Sequence, residues 1–257
     1  MGTATVGTLA SQANQNARSR PASTSLRRIW LLPAVCLLLC LSGCQIVIGV
    51  LQMVQGKPLQ TAHFTQKTGK SLDEKNKKVL VLSAADSPAL AVHPSLPVDV
   101  VQQVSSKLRV NGIKTVDTLE VTKFMESGEI LDKNSDYTAI GKKFKADYVV
   151  LISFDDFATR QENSSGLYRG TARAKIYVWE LTGSGDKRRA NRIYSKVHDS
   201  KYPAHQPIES DYENHELFQH KFMDTLAEEL ARHFYDHPPG VDIGSIDGFR
   251  ERLFRVT

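Results

Sequence analysis

The chain has 257 residues, 41% of them hydrophobic, 24% charged and 8% aromatic. That is enough for one domain of roughly 150–200 residues plus extensions, and it excludes wholesale disorder and low-complexity character. The formal charge of +5 is a property of the leader. Arg18, Arg20, Arg27 and Arg28 precede residue 44 and no acidic residue does, so the remainder carries 29 basic against 28 acidic residues. A near-neutral body gives no electrostatic case for nucleic acid.

Residues 1–28 are polar and end in Arg27-Arg28, and a 13-residue apolar run follows from Ile29 to Leu41. A positive region, a run of that length and small residues at its end make a secretory signal peptide. The residues that close it, Leu41-Ser42-Gly43-Cys44, resemble the bacterial lipobox. The resemblance implies cleavage before Cys44 and a diacylglycerol thioether on its thiol, with residues 1–43 as signal peptide. The competing reading is an uncleaved membrane anchor, because residues 46–54 are apolar too and 29–54 together approach the length of a span. Cys36, Cys40 and Cys44 are spaced as C-x3-C-x3-C, but two of them sit inside a leucine-rich run with no carboxylate or histidine nearby, so a metal site is not expected. No cysteine follows residue 44, and the exported domain must be held by its core alone.

Residues 44–75 read as the apolar segment and then a polar tether. The domain proper is expected over 76–237. Lys78–Ser83 is a buried-strand run. Residues 98–111 put Val100, Val101, Val104 and Leu108 on one helical face, with Gly112 to end it. Ile113–Val116 predicts a second, parallel strand. Asp117-x-x-Glu120 opens a short helix with an acidic capping-box spacing, and 135–145 predicts another. Tyr148–Phe154 is the central strand, and 155–167 a polar loop. From Tyr168 to Leu181 small and aliphatic residues alternate strictly with Arg169, Thr171, Arg173, Lys175, Tyr177 and Trp179, which predicts a long antiparallel strand with one core face. Arg192–Asp199 is its hairpin partner beyond the turn at 182–186. A helix over about 214–235 carries the stripe Leu217, Phe218, Phe222, Leu226, Leu230 and Phe234, and 238–257 is a tail. The expected fold is α/β: a single three-layer domain, a mixed sheet with a parallel β-α-β start, an antiparallel hairpin and a closing C-terminal helix.

This order, with the helix end Asn111-Gly112, the phrase Lys145-Ala146-Asp147-Tyr148-Val149-Val150-Leu151 and the hairpin at Thr182-Gly183, resembles the periplasmic α/β domain of the curli-secretion lipoproteins. It is similar also to the activator lipoproteins of penicillin-binding proteins and the amino-terminal domain of the Tol translocation protein. Tyr168-Arg169-Gly170, Lys201-Tyr202-Pro203 and Ala231-Arg232-His233-Phe234-Tyr235 resemble segments of planctomycete lipoproteins. Curli-type channels insert long membrane hairpins into the domain, whereas the loop available here, 155–167, is too short for even two membrane strands of about 9–11 residues.

Several constellations invite a chemical reading. Glu229, His233 and His237 lie one turn apart and could face one metal, but His at a helix C-terminus also suits the dipole, and no metal or other cofactor is expected. Asp155-Asp156 at the end of the central strand point to opposite faces, which suits solvated strand termination better than a paired acid and base. Ser83 with Asp86 lacks the surroundings of a nucleophile, and Gly183-x-Gly185 lacks the lysine and helix of a phosphate loop. The remaining candidate is the face with Arg169, Arg173, Tyr177 and Trp179. Arginine and large aromatic residues are enriched at protein interfaces, provided the closing helix leaves that face open. The sequence thus predicts a non-enzymatic protein-binding or assembly module in the bacterial cell envelope, lipid-anchored at the periplasmic face of the outer membrane. Its partners would be that membrane and an unidentified envelope protein, without nucleic acid, and self-association stays open. The alternatives are an envelope hydrolase and a subunit of a secretion or transport assembly.

Overall fold

The computed structural model describes residues 59–74, 76–127 and 131–239. The expected signal peptide, Cys44 and the apolar segment behind it lie outside the described residues, as do residues 240–257 of the tail. No helix among the described residues is long and apolar enough to cross a membrane.

In chain order the elements are α1 (His63–Thr68), β1 (Val79–Ala85), α2 (Ser87–Val92), α3 (Leu96–Val110), α4 (Thr118–Glu126), α5 (Tyr137–Lys143), β2 (Tyr148–Arg160), β3 (Leu167–Thr182), β4 (Arg189–Tyr202), β5 (Ile208–Glu209) and α6 (His215–Ala231). The sheet runs β1-β2-β3-β4, with β1 parallel to β2 and the rest antiparallel, and β5 pairs with the start of β3. This is the expected mixed α/β architecture. Tyr148 to Ile152 of β2 are all fully buried, as a central strand covered on both faces requires.

The even-numbered residues of β3 face inward. At Gly170 an added Cβ would lie 2.4 Å from the Phe222 ring of α6, so the strand and the closing helix meet there without a side chain between them. Helices α3 and α6 share this inner face, and Lys107 of α3 ties them by ion pairs to Asp224 (2.7 Å) and Glu228 (3.3 Å) of α6. Helix α3 ends as its sequence requires. Gly112 takes φ +82° and the Ile113 N–H reaches back to the Leu108 carbonyl, a Schellman-type closure. Asp117 caps α4 by accepting from the Leu119 N–H.

Asp147 fastens the base of the sheet. Its carboxylate accepts from the Lys78 N–H (2.9 Å) and from Arg188 (3.0 Å), while its own N–H donates to the Lys78 carbonyl. Its carbonyl accepts from the Leu181 N–H. One residue therefore links the starts of β1 and β2 to the end of β3.

Four expectations change. Ile113–Val116 is not a strand but a single parallel bridge, Val79 with Thr115, beside β1. The segment expected to be a polar loop from residue 155 is mostly strand, because β2 continues to Arg160 and the connection is only 161–166. A bulge at Asp155 breaks the alternating pattern within this strand. One extra residue shifts the alternation, so Ile152 and Phe154 point inward before it and Phe157 after it. Asp155 and Asp156 accordingly do not end the strand. The tether expected up to residue 75 is in part folded onto the domain: Ala62, Phe64 and Leu72 are fully buried, and Gln60 bridges to His237. Finally, Leu217 lies outside the buried stripe of α6, at 48% exposed.

Candidate partner-binding surface

The outer face of the sheet carries the odd-numbered residues of β3 and Ser195, Val197, Asp199 and Lys201 of β4. Its two ends differ. At one end α5 lies across it: Tyr137 stacks on Trp179 with ring centroids 3.8 Å apart, and Gly141 approaches Leu181 so closely that a Cβ there would lie 2.4 Å from its methyl. Trp179 is 6% exposed. It is a core residue, which removes it from the expected binding set. The closing helix plays no part in this, since α6 covers the inner face and the cover over Trp179 comes from α5.

At the other end no helix among the described residues intervenes. Arg173 pairs with Asp199 at 3.4 Å, with both side chains mostly in solvent (59% and 69%). Lys175 pairs with Asp155 at 2.8 Å, and that hydrogen bond and charge hold its ammonium above the usual lysine range. Tyr177 is half-buried, with the Arg192 guanidinium 5.8 Å from its ring, and Val197 is 45% exposed. The open strip is thus Arg173, Lys175, Tyr177, Arg192, Val197 and Asp199. Two of its cations already have carboxylate partners, which leaves no row of free charge to follow a phosphate backbone. Surface ion pairs of this kind contribute about 0–1 kcal/mol to the fold.

Arg169 belongs elsewhere. Its guanidinium donates to Gln161 and to the His205 carbonyl, and its Nε is buried with no acceptor among the described residues. It fastens the β2–β3 connection to the segment after β4. Of the four expected residues, the structure keeps Arg173 and Tyr177 on open surface. Lys175 shares that face by strand alternation, as the sequence predicts, whereas Arg192, Val197 and Asp199 join it only through β4. Alternation in β4, with Ser195, Val197, Asp199 and Lys201 between inward Tyr194, Lys196 and His198, was the signal available for the last two.

The chemical constellations resolve as follows. No group of three or more His, Cys, Asp or Glu side chains able to hold a metal occurs among the described residues. His237 bridges by its backbone to Gln60, while His233 turns toward His198. Ser83 is buried and its hydroxyl has no partner among the described residues, Asp86 included. The reading of the sequence missed a second cluster, beyond the C-terminal end of β1. There the Asp99 carboxylate accepts from both His93 Nε2 and Ser95 Oγ at 2.7 Å, and Gln219 of α6 donates to His93 Nδ1. Phe157 stacks on the His93 ring. The serine binds the carboxylate and not the imidazole, so this is a clamp between the α2–α3 turn and α6 and lacks a nucleophile–base pair.

No family model matches this chain, and no curated protein sequence matches it. Among solved structures, the lipoprotein GNA1162 from Neisseria meningitidis is similar at 13% identity and a TM-score of 0.39, covering 60% of this chain and 98% of that one. The hypothetical protein CT253 from Chlamydia trachomatis is similar at 13% identity and a TM-score of 0.36, covering 70% and 95%. The PelC dodecamer from Paraburkholderia phytofirmans is similar at 9% identity and a TM-score of 0.38, covering 70% and 97%.

Proposed function

We propose that this protein is an exported lipoprotein, held to a membrane through acylated Cys44, whose α/β domain is a non-enzymatic protein-binding or assembly module of the bacterial cell envelope. The observation that carries the anchor is Leu41-Ser42-Gly43-Cys44 directly behind a 13-residue apolar run. Each buried methylene of an acyl chain adds about 0.8 kcal/mol, so several chains on one cysteine hold firmly. Placement at the periplasmic face of the outer membrane, and kinship with the curli-secretion, penicillin-binding-protein-activator and Tol domains, rest on the sequence resemblance. The open strip of β3 and β4 is the binding surface in this reading. It offers an aromatic ring, an exposed valine and arginines in a part of the sheet that no helix among the described residues covers.

Cys44→Ser tests the anchor. It should block processing, leave the 43-residue leader attached and abolish incorporation of a labelled fatty acid. Normal maturation of the mutant would remove the lipoprotein reading. For the surface, crosslinking in intact cells through a photoreactive residue at Val197 should trap one partner protein. That adduct should weaken in Arg173→Ala and Tyr177→Ala, and an undiminished adduct in both would discard the strip.

A further inference from the structure

Three imidazoles from distant parts of the chain meet on the inner face of the sheet. His233, two residues beyond α6, has its Nε2 3.2 Å from Nδ1 of His198 on β4. The other nitrogen of His198 lies 3.1 Å from Glu229. His63 of α1 stands edge-on to His233, with centroids 5.7 Å apart, its Nδ1 2.7 Å from the Tyr194 hydroxyl and its Nε2 3.3 Å from the Lys196 ammonium.

The lid over this cluster is the segment 59–72. The Phe64 N–H donates to the His233 carbonyl, the Ala62 N–H to the Asp236 carboxylate, and Gln60 and His237 exchange backbone hydrogen bonds. Further along, Lys70 pairs with Glu180 at 2.6 Å and Leu72 is fully buried. The charged and titratable groups around the cluster are His63 and Lys67 from α1, Tyr194, Lys196 and His198 from β4, and Glu229, His233, Asp236 and His237 from α6 and the turn after it. Glu229 is the carboxylate that contacts an imidazole, and Asp236 is engaged by the Ala62 N–H.

We propose that residues 59–72 are an acid-releasable strap: proton uptake by His63 and His233, which meet beside His198, frees the segment from the inner face while the sheet, α3 and α6 stay folded. The balance of protons explains why. His198 and His233 share one hydrogen bond, which needs one N–H and one bare nitrogen. One further proton leaves that hydrogen bond intact but places an imidazolium on a buried ring close to Lys196 and His63. Burial first, then the charges of His198, Lys196, His63 and His237, holds His233 down at about 3 against an ordinary 6.5. His63 is lowered as well, by burial and by Lys196 and Lys67. A folded-state value below the released-state value means that the docked strap is favoured above about pH 6.5 and progressively less so as pH falls toward 3. Released and extended at about 3.3–3.6 Å per residue, the fourteen residues from 59 to 72 span about 45–50 Å. Where Cys44 is the anchor, that length is added to the link between membrane and domain. This last consequence rests on the lipoprotein reading, and the strap itself does not.

Hydrogen exchange on the full-length protein in detergent micelles, corrected for the intrinsic pH dependence of exchange, reads the strap directly and is indifferent to the anchor. The Phe64, Gln66 and Gly69 amides should lose about 30-fold protection relative to β2 between pH 8 and pH 5, as one proton with values near 6.5 and 3 dictates. The wild-type profile should be flat above pH 7 and fall by nearly, but not more than, about tenfold per unit below pH 6. H233Q should flatten the differential loss; should it fail to fold, the slope of the wild-type profile decides. Equal loss of protection in the strap and β2, no pH-dependent difference between them, or an unchanged difference in folded H233Q would each overturn the proposal.

Discussion

The outer face of β3 is solvent at Arg173 and closed at Trp179, although both side chains leave one continuous strand on the same side. Alternation along a strand fixes which face a side chain joins. Whether that face is covered is decided elsewhere, here by α5, whose Tyr137 reaches the tryptophan from 42 residues upstream in the chain. The inner face shows the complementary case. Small residues at Gly170, Ala172 and Ala174 admit α6 to close range, and bulk returns at Ile176 and Val178, both fully buried.

This contrast can be broken in four places. Trp179→Ala should cost about 3–5 kcal/mol by emptying a packed site, read as a lower urea midpoint, and an unchanged midpoint would put Trp179 back on the surface. Gly170→Ala should cost about 1–3 kcal/mol, because the new methyl collides with a buried ring that has no room to retreat. A stability gain there would show that α6 does not seat on β3 as described. A double-mutant cycle between Tyr137 and Trp179 should return a coupling of about 0.5–1.5 kcal/mol, whereas additive losses would mean that the stack contributes nothing specific. Arg173→Ala, at the open end, should change stability by less than about 0.5 kcal/mol. A large loss in a thermal melt would make its pair with Asp199 structural and would argue against a free surface.

Much of the fold was legible because it is written in local periods. The stripe of α3, the Asp117 cap and the alternation of β3 each follow from residues within one element. What escaped depends on single residues or distant partners. The Asp155 bulge hid the second half of β2 by shifting its period, and the two-residue β5 has no period at all. The strap escaped because 59–72 is polar on average and enters the core through isolated residues, chiefly Phe64 and Leu72. At the candidate surface, Arg173 and Tyr177 followed from strand direction alone. Arg169 and Trp179 did not, since a backbone carbonyl at His205 and a ring at Tyr137 claim them. The His93–Asp99 clamp needs Gln219 to be complete, and no spacing in the sequence reveals that partner.

The Asp147 junction bears on the order in which this chain can fold. The β2–β3–β4 meander joins neighbours in sequence and pairs quickly once made. β1 is synthesised first but waits for a partner, since the bond from its preceding residue, Lys78, to Asp147 closes a separation of 69 residues. Until β1 arrives, the Tyr148–Phe154 edge of the meander is an open apolar template for pairing with other chains. A carboxylate that captures the chain at Lys78 fixes β1 in register from its first residue. It thereby shortens the time for which this apolar edge stands unguarded.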